Sequence, residues 1–204
     1  MTIRIVIDGA AGSGKTTFLS CNFLSNLRKE CSSQDTINIA SLGFSVFSEM
    51  MQGAVNDAKK IGIIPPMQKE DWDELFNLIY RRGVEQYKAA KTGIFWYDRG
   101  LHFLKAFADV NEQKIPKVLY EGIGNYKYDY VFIFKPIESF DLSMINNGKF
   151  GPMSLEDRYN EFQAIVNAYK EFGHTVFTVP VFSNNLEENF YRRFSFIKER
   201  VPFL

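Results

Sequence analysis

Cysteine and histidine are scarce in this sequence. Cys21, Cys31, His102 and His174 are the only residues of these two types among 204. No Cys-x-x-Cys or mixed Cys/His spacing joins them. That excludes a structural zinc site and a disulfide framework, and two isolated thiols fit a reducing compartment. Excess charge of either sign is also missing: 24 basic side chains face 24 acidic ones. No global potential therefore draws the chain to nucleic acid or to an anionic membrane. No stretch approaches the roughly 18 apolar residues of a membrane span. Met1-Thr2-Ile3-Arg4 lead straight into a strand-like run, with no signal-peptide core. The expectation is a cytoplasmic protein with neither nucleic acid nor membrane as its partner.

With 46% hydrophobic and 24% charged residues, the composition is that of a globular chain. Its length suits one domain, residues 1–204, with a core that needs no metal or disulfide. The 20 Phe and 10 Tyr predict an aromatic core.

Along the chain, short apolar runs alternate with helical patterns. Ile3, Ile5, Val6 and Ile7 form a mostly β-branched run, suited to a strand covered on both faces. Further strand candidates are Ile37–Leu42, Ile94–Tyr97, Tyr130–Phe134 and Val176–Val179. Between them the spacing predicts a helix after the first strand, carrying Phe18, Leu19, Phe23, Leu24 and Leu27. A second runs from near Ser48 to Lys60, and a third holds Trp72, Leu75, Phe76, Ile79, Val84 and Tyr87, with Gly93 as its C-terminal cap. Leu101, Leu104, Phe107 and Ala108 look helical, and Pro116 opens a short helix. Ser154, with Asp157 three residues on, caps a helix ended by Gly173. Asn185 caps a last one carrying Leu186, Phe190, Phe194, Ile197 and Val201. Such alternation defines an α/β chain with a five-stranded parallel sheet and helices on both faces. Ligands of such sheets bind at the carboxyl ends of the strands, where Asp8, Asp98 and Lys135 fall.

The segment Gly9-Ala10-Ala11-Gly12-Ser13-Gly14-Lys15-Thr16 matches the phosphate-loop pattern G-x-x-x-x-G-K-[ST] in full. Its glycines let the backbone curl so that N–H groups point at phosphate oxygens. Lys15 supplies a mobile positive charge for the outer phosphates, and the Thr16 hydroxyl can ligate magnesium. Thr17 extends the binding segment. A nucleoside triphosphate, ATP, with Mg2+ is the expected ligand. Asp98 closes a buried strand, where a second carboxylate can help to hold magnesium. Arg99 beside it can grip a phosphate through two parallel hydrogen bonds. The competing reading is an Asp that caps the helix after Gly100, next to an exposed Arg.

Taken together, the loop at Gly9–Thr16, Glu49 at a helix start, Tyr97-Asp98-Arg99-Gly100 and Tyr128-Asp129-Tyr130-Val131-Phe132 resemble the AAA-domain ATPase/kinase-like family of small P-loop proteins. That family is similar to deoxynucleoside and thymidylate kinases. The resemblance implies the P-loop NTPase fold and the strand order 2-3-1-4-5. It further implies transfer of the γ-phosphate of ATP to a small acceptor, a nucleoside or nucleotide. In these families a lid between the fourth strand and the next helix carries arginines that touch the transferring phosphate. Here the candidate lid, near 138–158, holds Lys149 and no arginine between Ser143 and Pro152. Arg158 follows inside the next helix; either Lys149 or Arg158 replaces the lid arginines, and the competing reading of Arg158 is a solvated residue among Glu156, Asp157 and Glu161. Glu49 resembles the family's proton acceptor for the attacking hydroxyl, although an acidic residue also suits the first turn of any helix. Arg81 and Arg82 are candidate ligands of an anionic acceptor, or surface charge; Trp72 and Tyr80 can stack on a base, though their spacing places them in the core. The alternative function is an NTP-hydrolysing or NTP-switched ATPase acting through a protein partner.

Overall fold

A computed structural model describes residues 1–19, 44–47, 50–138 and 153–202. Five strands form one sheet: β1 (Thr2–Gly9), β2 (Phe44–Phe47), β3 (Gly93–Asp98), β4 (Tyr130–Phe134) and β5 (Val176–Val179). Their order is β2-β3-β1-β4-β5 and every pairing is parallel. The helices are α1 (Lys15–Phe18), α2 (Met50–Lys60), α3 (Lys69–Ala89), α4 (Phe103–Val110), α5 (Lys117–Ile123), α6 (Leu155–Glu171) and α7 (Leu186–Lys198). The strand run expected at Ile37–Leu42 lies outside the described residues, as do Ser48 and Glu49.

The near-continuous apolar runs resolve into two faces with the two-residue period of a strand. Ile3, Ile5 and Ile7 of β1, Ile94 and Trp96 of β3, and Phe132 and Phe134 of β4 pack with Phe18, Phe194, Ile197 and Val201. Val6, Phe95, Tyr97, Val131 and Ile133 point the other way, into a larger core with α2, α3, α4 and α6. Each fully buried Ile or Phe is worth about 1.5–3 kcal/mol relative to exposure. The sheet is therefore held from both sides, and its strand ends are rigid.

Local signals fall where their chemistry requires. Asp157 N donates to Ser154 Oγ at 3.0 Å, and Ser154 N donates back to Asp157 Oδ2 at 2.9 Å, closing a capping box on α6. Asn185 Oδ1 accepts from Glu188 N at 3.0 Å and caps α7. Gly173, at φ 82°, ends α6. Gly93 differs from expectation. Ala90 follows the last turn of α3, and Gly93 opens β3 at φ 124°, its N–H bonded to Met1 O at 3.2 Å. A glycine there serves the entry to a strand rather than the exit from a helix.

The two histidines meet. His102 and His174 place their Nε2 atoms 3.3 Å apart, ringed by Tyr128, Tyr169 and Phe172. His174 is held below its ordinary value by burial, then by Lys127, against the backbone at Tyr128 and Tyr126. Burial, then the facing His174 and Lys127, push His102 down to about 2, far below its ordinary value of 6.5. Below pH 6.5 the unfolded chain takes up a proton that the folded one refuses, so stability falls as pH falls, by roughly 1.4 kcal/mol per pH unit for this group. Asp8, raised to about 6, works against this between about pH 6 and 4, because there the folded state binds the proton first. The urea midpoint should accordingly fall only slightly from pH 7 to 5, where the two groups nearly offset each other, and His102→Gln should reverse the slope so that the midpoint rises; an unchanged slope would assign the acid sensitivity elsewhere.

Candidate active site

β1 ends at Gly9, paired with Phe134 of β4, and the chain turns at once. A Cβ on Gly9 would lie 2.6 Å from Phe134 O and 2.8 Å from Ser13 Oγ, so only glycine permits this approach. Ser13 N donates to Ala10 O at 3.2 Å and curls the loop. Gly12 and Gly14 take φ of 69° and 82°, and Lys15 begins α1. The Ser13 hydroxyl is fully buried and, among the described residues, has no hydrogen-bond partner, a polar group aimed within the loop. The loop expected from Gly9 to Thr16 is thus present, in the required place between a strand and a helix.

Thr16 Oγ1 donates to Asp98 Oδ2 at 3.1 Å. The two residues assigned to a metal from the sequence, 82 positions apart, are therefore neighbours. A hydroxyl beside a carboxylate offers two oxygen donors, the kind of incomplete set with which Mg2+ keeps several waters. Among the described residues there is no cluster of three or more His, Cys, Asp or Glu that could hold a metal by itself. Asp98 does not cap α4, whose first turn follows His102.

Arg99 is buried, with 6% of its surface exposed, and adopts φ 72°. Its guanidinium reaches Asp8 Oδ1 at 3.3 Å and Glu161 Oε1 at 3.4 Å, and lies 3.8 Å from the centre of the Phe103 ring. It is no exposed arginine. Glu161 in turn accepts from Ala11 N at 3.0 Å, through Oε2. One carboxylate on α6 thereby joins the phosphate loop to the end of β3. Asp8, wholly buried, also accepts from Gly9 N at 2.7 Å and from the Tyr169 hydroxyl at 3.0 Å. Desolvation raises Asp8 to about 6, and Arg99, the Gly9 N–H, Lys15 and Tyr169 each counter it. The Tyr169 hydroxyl accepts from Gly100 N at 2.9 Å, and Tyr128 Oη accepts from Leu101 N at 3.0 Å. Two tyrosines thus hold the turn that presents Arg99.

Arg158 is also interior, 1% exposed, with Nη1 donating to Ile137 O at 3.0 Å. The solvated reading of Arg158 does not hold. Its guanidinium lies against the strand-end segment that touches the loop, since Ile137 N donates to Gly12 O at 3.4 Å. Arg82 pairs with Asp57 of α2, Arg81 is exposed, and Trp72 packs between Phe76 and Phe107. Glu49 and Lys149 lie outside the described residues. Beside the loop, Gly14, Thr17, Phe18, Phe134, Asn189, Phe190 and Arg193 line a cavity of about 70 Å³.

Two participants, Glu161 and Arg193, escape a pattern-based reading because each is a charged residue on the buried face of a helix. The signal was present: Arg193 falls three residues after Phe190, inside the apolar stripe of α7, where a surface charge does not belong.

This architecture, a phosphate loop after the central strand of a 2-3-1-4-5 parallel sheet, is the P-loop NTPase fold. The AAA domain family matches residues 4–189, and the chain belongs to that family. A search of curated proteins returns no match. Among solved structures, the chain is similar to thymidylate kinase from Ehrlichia chaffeensis, at 15% identity, TM-score 0.59 and 98% coverage of each chain. It is likewise similar to deoxyadenosine kinase from M. mycoides, at 15% identity and TM-score 0.60, covering 98% of this chain and 100% of that one. It also resembles NadR protein in complex with NR, at 16% identity and TM-score 0.56, covering 97% of this chain and 49% of that one. Among the described residues no helix is long and apolar enough to cross a membrane.

Proposed function

We propose that the protein is an ATP- and Mg2+-dependent phosphotransferase that moves the γ-phosphate to a small acceptor, a nucleoside or nucleotide, as a single cytoplasmic domain. The observation that carries this reading is the 3.1 Å contact between Thr16 and Asp98, which brings the phosphate loop to the strand end that bears Arg99. In this assignment the loop N–H groups and Lys15 bind the outer phosphates of ATP, and Thr16 and Asp98 hold magnesium. Bound there, magnesium would supply positive charge that offsets the negative charge developing on the leaving ADP as the bond from its oxygen to the γ-phosphorus breaks. Glu49 takes the proton of the attacking hydroxyl; a new oxygen–phosphorus bond forms to the acceptor, and ADP leaves. Arg99 orients the reacting phosphate, and Arg158 stands in for the arginines of the lid.

The hydrolase or switch reading draws on a different observation. Arg99 is neutralised by two carboxylates and Arg158 is bonded to a backbone carbonyl, so each is already engaged within the protein. Incubation with ATP, magnesium and a panel of nucleosides and nucleotides separates the two. A phosphorylated acceptor supports transfer; ADP and phosphate alone, whatever the acceptor, support the switch. Asp98→Asn keeps the shape of the site but removes a negative charge, so half-maximal activity should require several-fold more magnesium. An unmoved magnesium requirement would make Asp98 structural.

A further inference from the structure

One buried cation takes no part in the mechanism above. Arg193 of α7 is 2% exposed, and its guanidinium donates to three backbone carbonyls: Nη1 to Ser13 O, Nη2 to Lys135 O at 3.1 Å, and Nε to Pro180 O at 3.1 Å. It lies 4.5 Å from the centre of the Phe134 ring. Among the described residues no carboxylate is within ion-pairing distance, and burial alone lowers the group to about 10. An interior charge without an acidic partner costs stability unless hydrogen bonds compensate it. All of its bonds run to the phosphate loop and to the ends of β4 and β5.

The bond to Ser13 has a geometric consequence. A trans peptide is planar, and its C=O and N–H point in opposite directions. With the Ser13 carbonyl drawn to Arg193, the N–H of the same peptide, which belongs to Gly14, is turned to the opposite side of the loop. Gly14 can accept this because its φ of 82° is open to glycine. The other two bonds anchor the guanidinium to strand ends that belong to the rigid sheet. Rotation of the Ser13–Gly14 peptide would break a charge-assisted bond in the interior.

We infer that Arg193 is a positioning residue that sets the Ser13–Gly14 peptide so that the Gly14 N–H is presented to a bound triphosphate before the ligand arrives. The inference rests on the reading of Gly9–Thr16 as a triphosphate site. It gives α7, the most C-terminal described helix, a direct role in the affinity of the most N-terminal loop. Loop and ligand need not pay jointly for ordering, since the donor is already aimed.

The test is calorimetry with a non-hydrolysable ATP analogue and magnesium on wild type, Arg193→Gln and Arg193→Lys, with melting temperatures measured without nucleotide. Arg193→Gln should weaken the analogue roughly ten- to a hundredfold, and Arg193→Lys, which retains the charge and can bond Ser13 O, should recover part of that loss. A merely structural arginine would lower the melting temperature of both variants and leave the affinity of the folded protein unchanged, which would overturn the inference. Should Arg193→Gln not fold, the wild-type protein decides: the Gly14 amide proton should move downfield in its NMR spectrum when the analogue binds, and an unmoved resonance would overturn the assignment. If wild type binds no triphosphate, the reading of the site fails and this inference with it. Normal wild-type binding with an unaffected Arg193→Gln would sink the inference alone.

Discussion

Lys15→Ala is expected to abolish turnover and to weaken binding of a non-hydrolysable ATP analogue by roughly 30- to 1,000-fold. Lys15 opens α1 and is 7% exposed, so its charge works in a largely desolvated cradle. Loss of one charge-assisted contact to a phosphate in such a place costs about 2–4 kcal/mol, which is that range in affinity. The fold should survive, since alanine is the better helix former. Asp8 feels the change as well. Lys15 is one of the groups that hold the Asp8 carboxyl down against desolvation, so the variant should ionise Asp8 less readily. Calorimetry is the deciding measurement: unchanged nucleotide affinity in Lys15→Ala would remove the basis for a triphosphate site here.

Glu49→Gln addresses the other half of the reaction. Glutamine keeps the size and most of the hydrogen bonding, but an amide takes up no proton at neutral pH. Transfer to an acceptor hydroxyl should fall by the 10²–10⁴-fold typical of a lost general base. Binding of ATP and magnesium should barely change, because Glu49 follows the second strand and is remote in sequence from the phosphate loop. A carboxylate that merely favours a helix start would behave otherwise, costing roughly 0.3–1 kcal/mol of stability and leaving turnover intact. Normal activity with a slightly lower melting temperature would therefore exclude the base role. The comparison of acceptors adds a second result. A monophosphate needs little deprotonation at neutral pH, so a large loss with a nucleoside and a small loss with a nucleotide would identify the acceptor class.

The parts of the molecule that were legible in the sequence are those governed by local chemistry. Strands β1, β3, β4 and β5 announced themselves as β-branched or aromatic runs, and the Ser154 and Asn185 caps by a polar side chain preceding an apolar stripe. The phosphate loop was legible because its function demands glycines at fixed spacing. The strand order entered only through a family likeness, since nothing local in Ile94–Tyr97 states which neighbour it joins. The contacts that organise the site were hidden for the same reason. Arg99 could be read as a phosphate ligand or a surface charge; what decides its surroundings is Asp8, 91 residues away, and Glu161, 62 residues away. Arg158 was balanced between two readings by its acidic sequence neighbours, whereas its burial follows from the face of α6 that packs on the sheet. Tyr169 belonged to an apolar stripe, and periodicity has no means of assigning a task to its hydroxyl.

The position of β1 at the centre of the sheet has a consequence for synthesis. β1 emerges from the ribosome ahead of both of its partners: Thr2 pairs with Gly93 and Ile5 with Tyr130. At about 5–20 residues per second, some 5–20 s pass before the first of these is even made. During that interval Ile3, Ile5, Val6 and Ile7 have no native strand to join, and closing so long a loop is slow. The nascent chain thus carries an unpaired, apolar, β-prone segment, the kind that chaperones bind and that aggregates when they do not. Nucleotide competence must await β4, because Gly9 has no neighbour until Phe134 has been made. Ribosome-stalled chains ending before β4 should accordingly not bind triphosphate at all.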